Sequence, residues 1–113
     1  MRTGGKYRVV LVTCGSLPEA RRMARSVVTK GFAGCVNITL SPVESIYAWK
    51  GKVEKAREHL LIFKTAVPRL AELEREVRRL HSYEVPEFIA LPITEGSARY
   101  LSWLNECVTK LHE

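Results

Sequence analysis

Extended and helical patterns follow one another along this chain in the order β-α-β-β-α-β, with one more helix at the end, and few topologies accept that order. Val9-Val10-Leu11-Val12 inside Tyr7–Thr13 is a continuous apolar run, the mark of a strand covered on both faces. Ser16-Leu17-Pro18-Glu19 then carries a capping box, a serine with a glutamate three residues on. Ala20, Met23, Ala24, Val27 and Val28 form one helical stripe that Gly31 ends. Cys35–Leu40 alternates, with Val36, Ile38 and Leu40 on one face, until Ser41-Pro42 bends it. The strand resumes through Ile46, Tyr47 and Trp49, turns at Lys50-Gly51, and returns from about Lys52 to Thr65.

Pro68 opens a second helix with Leu70, Leu73, Val77 and Leu80 on one side. An exposed turn at His81-Ser82-Tyr83 leads to a strand over Phe88–Pro92. Ser97 caps a last helix with Leu101, Leu104, Val108 and Leu111, and with a second stripe of Tyr100, Trp103 and Cys107. Right-handed crossovers in this order give an α+β sandwich: a four-stranded antiparallel sheet with both main helices on one face. The hairpin is too long for one small sheet, and the sheet's other face needs a cover. Self-association answers both demands. Residues 1–6 are expected to be a flexible tail, and residues 7–113 one domain.

A chain of 113 residues, 46% hydrophobic and 27% charged, has an ordinary globular composition. The first residues do not resemble a signal peptide and no run approaches a membrane span, so a cytoplasmic protein is expected. Cys14, Cys35 and Cys107 are too few for a disulfide framework. The net charge of +6 arises from interleaved Arg-rich and Glu-rich stretches and predicts no specific nucleic-acid partner. Lys30-Gly31-Phe32-Ala33 matches the start of an RNA-recognition motif, but Gly34 and Asn37 replace its stacking rings. Thr3-Gly4-Gly5-Lys6 lacks the strand before it and the Ser or Thr after it that a phosphate loop requires. No enzyme signature is present, and the expectation is a binding protein rather than a catalyst.

Three constellations remain. Cys35, by residue type alone, reads as a small buried hydrophobe, and His81 as a side chain at a helix C-terminus. Thiolate and imidazole are nonetheless donors suited to copper and zinc, although no CxxC or HxxxH spacing joins them. Tyr83-Glu84-Val85-Pro86-Glu87 places two carboxylates and a phenol in a proline-stiffened turn, fit for acid–base work, a hard metal or a polar cleft. Tyr47 and Trp49 on the hairpin are rings able to hold a ligand, and read first as buried against another subunit.

Phe32-Ala33-Gly34-Cys35-Val36-Asn37, Ser45-Ile46-Tyr47-Ala48-Trp49-Lys50-Gly51, Lys64-Thr65, the run from His81 to Pro92 and Tyr100-Leu101-Ser102-Trp103-Leu104 together resemble the CutA divalent-cation tolerance proteins, over roughly residues 7 to 110. The resemblance implies a ferredoxin-like β-α-β-β-α-β fold with an extra C-terminal helix, assembled as a homotrimer with the architecture of the PII signal proteins, a role in the response to copper and other divalent metals, and no enzymatic activity. It implies weak copper binding, not required for folding, through Cys35 and His81. A further cysteine used in some members falls at Val12 here, with Cys14 two residues on along the same strand face. Ser82 stands where the family usually has proline, and Gly34 where it has alanine. A PII-type sensor of a small molecule or anion, binding between subunits at Lys64, Tyr83, Glu84 and Glu87, is the alternative, and a structural trimer anchoring another protein is a third.

Overall fold

The computed structural model of the protein describes residues 2–3 and 5–109. Its elements are β1 (Arg2–Thr3), β2 (Tyr7–Cys14), α1 (Leu17–Thr29), β3 (Cys35–Ile38), β4 (Val43–Trp49), β5 (Lys52–Ala66), α2 (Leu70–Leu80), β6 (Ile89–Pro92), β7 (Glu95–Gly96) and α3 (Ala98–Val108). The main sheet runs β3-β5-β2-β6, every neighbour antiparallel, and β4 pairs with the first half of β5. This is the ferredoxin-like order. Lys50 and Gly51 close the long hairpin with φ of 51° and 79°, both left-handed, as a two-residue turn between twisted strands requires.

One sheet face is a packed core. Val10, Val12 and Cys14 of β2 and Leu61 and Phe63 of β5 meet Met23 and Val27 of α1 and Leu73 and Val77 of α2, all wholly buried. Full burial of a side chain of this size is worth roughly 1.5–3 kcal/mol. α1 starts where Ser16 Oγ accepts the Glu19 amide at 3.3 Å, and it ends at Gly31, whose φ of 74° few other residues adopt cheaply. Val28, counted in its apolar stripe, is 44% exposed instead, and Leu40, in phase with Val36 and Ile38, is 68% exposed. β3 stops at Ile38, so Leu40 lies past the last residue the sheet holds against the core.

α3 packs elsewhere. Leu101, Leu104 and Val108 join Tyr7 and Ala66 in a second cluster at the end of β2 and β5. Gly34 admits this contact, because a Cβ there would stand 2.6 Å from Leu104 Cδ1. Tyr100 and Trp103 each stay 43% exposed, with their rings 5.3 Å apart and Tyr100 beside Cys35. Of the expected tail, Arg2–Thr3 pairs with Glu95–Gly96, while Met1 and Gly4 lie outside the described residues, as does Leu111 of the last helical stripe.

On the second sheet face α3 covers only one end, where Tyr7 and Ala66 lie in phase with Val9 and Lys64, and no other helix of the described residues packs there. Val9 and Leu11 of β2, Leu60 and Ile62 of β5 and Ile89 and Leu91 of β6 share this face, because side chains alternate along each strand and these residues are paired in register. Ile89 and Leu91 are 47% and 46% exposed. A core of this size would not leave such a stripe in water for its own stability.

Candidate functional site

Glu58 is where the uncovered face meets the hairpin. It lies on β5 in phase with Leu60 and Ile62, opposite Val43 of β4, and is 6% exposed. Ser45, Tyr47 and Trp49 alternate along β4 on the same side, since they pair with Ala56, Glu54 and Lys52. Across from them runs the 83–87 loop. Together these segments enclose a cavity of about 610 Å3 with Thr13 and Glu58 at its base and Tyr83, Glu84 and Glu87 on its far wall.

The loop is tied to the sheet at two points. Tyr83 Oη donates to Glu58 Oε2 at 2.8 Å. Behind it, His81 Nε2 donates to the Thr13 carbonyl at 2.8 Å, and the Tyr83 amide donates to His81 Nδ1 at 3.0 Å. A carbonyl only accepts and an amide only donates, so these two bonds place the ring proton on Nε2 and occupy the lone pair of Nδ1. The Glu19 carboxylate, 3.4 Å from Nδ1, accepts from the Ser82 amide at 2.8 Å and from its hydroxyl at 3.0 Å. The capping box is thus half used as expected: Ser16 caps α1, and Glu19 reaches across to hold the turn.

The carboxylates shape the electrostatics of the cavity. Burial, and then the neighbouring Glu58, hold the Glu87 carboxyl above its ordinary range. Burial, then the hydrogen bond to Glu58, push the Tyr83 phenol well above its usual value. Among the described residues no Lys or Arg lines the cavity, and no ion pair involves Glu58, Glu84 or Glu87. In a chain of net charge +6 this is a concentrated negative spot.

The residues singled out in the sequence divide between two places. Tyr83, Glu84 and Glu87 do share one cavity, and Tyr47 and Trp49 join them. Lys64 does not. It pairs with Val9 and Cys35, six residues from Glu58 on the same strand, or roughly 20 Å of strand rise. Its Nζ stands 3.9 Å from Cys35 Sγ.

Cys35 and His81 are not brought together within one subunit. Cys35 is half-buried on the second sheet face at the end that α3 covers, opposite Lys64, level with Val9 and beside Tyr100, whereas His81 is bonded to Thr13, roughly 13 Å further along β2. The His81 side chain is also fully buried, not exposed in a turn as its position suggested, because Glu19, Thr13 and the Tyr83 amide enclose it. Among the described residues, no three His, Cys, Asp or Glu side chains are grouped closely enough to hold a metal ion. Cys14 shares its strand face with Val12, as expected, but burial pushes its thiol up to about 11 and its Sγ donates to the Ser16 carbonyl. Glu58 is the lining residue that the sequence motifs do not single out; its signal is a carboxylate in phase with Leu60 and Ile62.

A profile described as the CutA1 divalent ion tolerance protein matches residues 8–107 of this chain. The chain belongs to the CutA1 family. The Thermus thermophilus divalent-cation tolerance protein CutA is 45% identical over 98 residues, covering 87% of this chain and 94% of that protein. The chloroplastic Protein CutA of Arabidopsis thaliana is 47% identical over 97 residues, and the match covers 86% of this chain but about half, 53%, of that longer protein. Among solved structures, CutA1 of Oryza sativa superposes with a TM-score of 0.89 at 40% identity, covering 97% and 100% of the two chains. The periplasmic divalent cation tolerance protein CutA of Archaeoglobus fulgidus gives 0.87 at 39% identity, covering 91% and 99%. The ferredoxin-like, PII-like architecture of the CutA1 family is therefore the architecture of this chain. No helix among the described residues is long and apolar enough to cross a membrane.

Proposed function

We propose that this CutA1 protein acts by binding, without catalysis, as a cytoplasmic homotrimer that takes part in the response to divalent metal ions. The observation that carries the reading is the uncovered apolar face, with the acidic cavity at its margin. A second copy seated on Val9, Leu11 and Ile62 would remove the stripe from water and wall the cavity on its open side. The relatives named for divalent-cation tolerance support cations as the ligands. Copper is the metal proposed, with Cys35 as the soft donor. His81 joins it only by releasing Nδ1 from the Tyr83 amide and only if assembly closes the gap between them.

Anaerobic titration of the reduced protein with Cu(I), and separately with Cu(II), tests this, with mass and stoichiometry read together. A trimer binding about one ion per subunit, and losing it in Cys35→Ser, is the expected result. A monomer, or equal binding in Cys35→Ser and His81→Ala, would overturn the assembly or the donor assignment respectively.

The cavity favours a second reading, small-molecule sensing in clefts between subunits, with Tyr83, Glu84 and Glu87 in the cleft. Lys64 takes part only if it comes from another copy. Three carboxylates without a base oppose the anion form of that reading.

A further inference from the structure

We propose that the cavity between the β4–β5 hairpin and the 83–87 loop binds an organic cation, an ammonium or guanidinium group held against the Trp49 and Tyr83 rings with the Glu58 carboxylate behind it. This rests on the cleft-sensing reading and names the ligand class that reading lacks. The volume of about 610 Å3 lies within the ~300–1,000 Å3 of small-molecule sites.

Four observations point to charge and shape together. Glu58 is 6% exposed, yet the only hydrogen bond to its carboxylate among the described residues is the one from Tyr83, made at Oε2. A carboxylate so removed from water ordinarily has a cationic partner, and no Lys or Arg among the described residues supplies one. Glu84 and Glu87 add charge of the same sign. Trp49, Tyr47 and Tyr83 remain 48%, 43% and 38% exposed, and rings of this kind attract cations across their faces. The Trp49 indole already has Lys50 Nζ 6.0 Å from its centroid, so it stands in contact range of an ammonium.

A bare metal ion fits this cavity less well than an organic cation. The described residues group no three ligating side chains, and a metal would gain nothing from the aromatic walls. The walls are also preorganised, since the Tyr83–Glu58 and His81–Thr13 bonds fasten the loop to β5 and β2 before any ligand arrives.

The test is calorimetric titration of the full chain with agmatine and with tetramethylammonium, with ATP and citrate as anionic probes and EDTA present throughout. Saturable agmatine binding is expected, weakened roughly tenfold or more in Glu58→Gln and in Trp49→Ala. Trp49 is on the exposed hairpin, so Trp49→Ala carries the test even if Glu58→Gln fails to fold. Absence of saturable binding of either cation, or binding equally tight in Trp49→Ala, overturns the proposal. If ATP or citrate binds and the cations do not, cleft sensing survives and the cationic ligand class falls. If no probe binds, both fall.

Discussion

The Tyr83 hydroxyl reaches 2.8 Å from the buried carboxylate of Glu58 and fastens the 83–87 loop to the strand that carries the hairpin. Both residues therefore serve the cavity twice, as lining and as latch. Tyr83→Phe removes the latch and leaves Glu58 with no hydrogen-bond partner among the described residues. Leaving a buried acceptor unmade costs about 1–3 kcal/mol, and the open cavity admits water, so a loss near the lower end is expected. A urea midpoint lowered at constant slope checks it.

Glu76 of α2 predicts the acid limb of stability. Arg79 donates to it at 2.9 and 2.7 Å, Lys30 at 2.9 Å, and Ser26 adds a further bond. The hydrogen bonds from Arg79, and then from Ser26, hold its carboxyl far below the ordinary glutamate range. A depressed folded-state value contributes stability that is present above the unfolded value, about 4.3, and is lost as pH falls through the folded one. Glu76→Gln should lower the melting temperature at neutral pH and flatten its fall below about pH 4. A variant that melts in parallel with the wild type at every pH would refute the assignment.

Gly34 makes room for α3. Gly34→Ala would bring a Cβ to 2.6 Å from Leu104 Cδ1 and 3.2 Å from Cys107 Cβ, and Leu104 is wholly buried. Overpacking of this kind costs about 1–3 kcal/mol, against the roughly 0.4–1 kcal/mol that alanine returns by restricting the unfolded chain. Net destabilisation is expected by thermal melting. Restoring stability with Leu104→Val in the same chain would locate the clash.

Cys14 should be inert. It is wholly buried, and burial raises its thiol to about 11, so little thiolate exists at neutral pH. Iodoacetamide labelling followed by peptide mass analysis should leave Cys14 unmodified until denaturant is added. Labelling of the native protein at Cys14 would show that the helix-covered face opens.

Much of the fold was legible because local chemistry and tertiary packing agreed. Ser16 caps α1, Gly31 ends it, Lys50-Gly51 turns the hairpin, and Val10, Val12, Leu61 and Phe63 fall on one face by alternation alone. The misreadings occur where one residue's surroundings come from a distant element. His81 follows a helix in a polar turn and looks exposed, yet Thr13, 68 residues earlier, supplies the carbonyl that buries it. Lys64 belongs to the same family motif set as Tyr83 and Glu87 but is carried roughly 20 Å away, because β5 runs straight through the sheet. Leu40 and Val28 kept the right period past the point where the core ends. Tyr83, Glu84 and Glu87 were recoverable as a group because a short stiff turn holds its own members together.

The claim that the uncovered face is a subunit interface is tested most directly by native mass spectrometry of the full, reduced chain beside Ile62→Glu. A wild-type mass of three chains of 12.8 kDa and a single-chain mass for Ile62→Glu are expected, with the helix-covered core of both still folded by circular dichroism. A wild type that remains a single chain at every concentration, or an Ile62→Glu variant that assembles as well as the wild type, would contradict it.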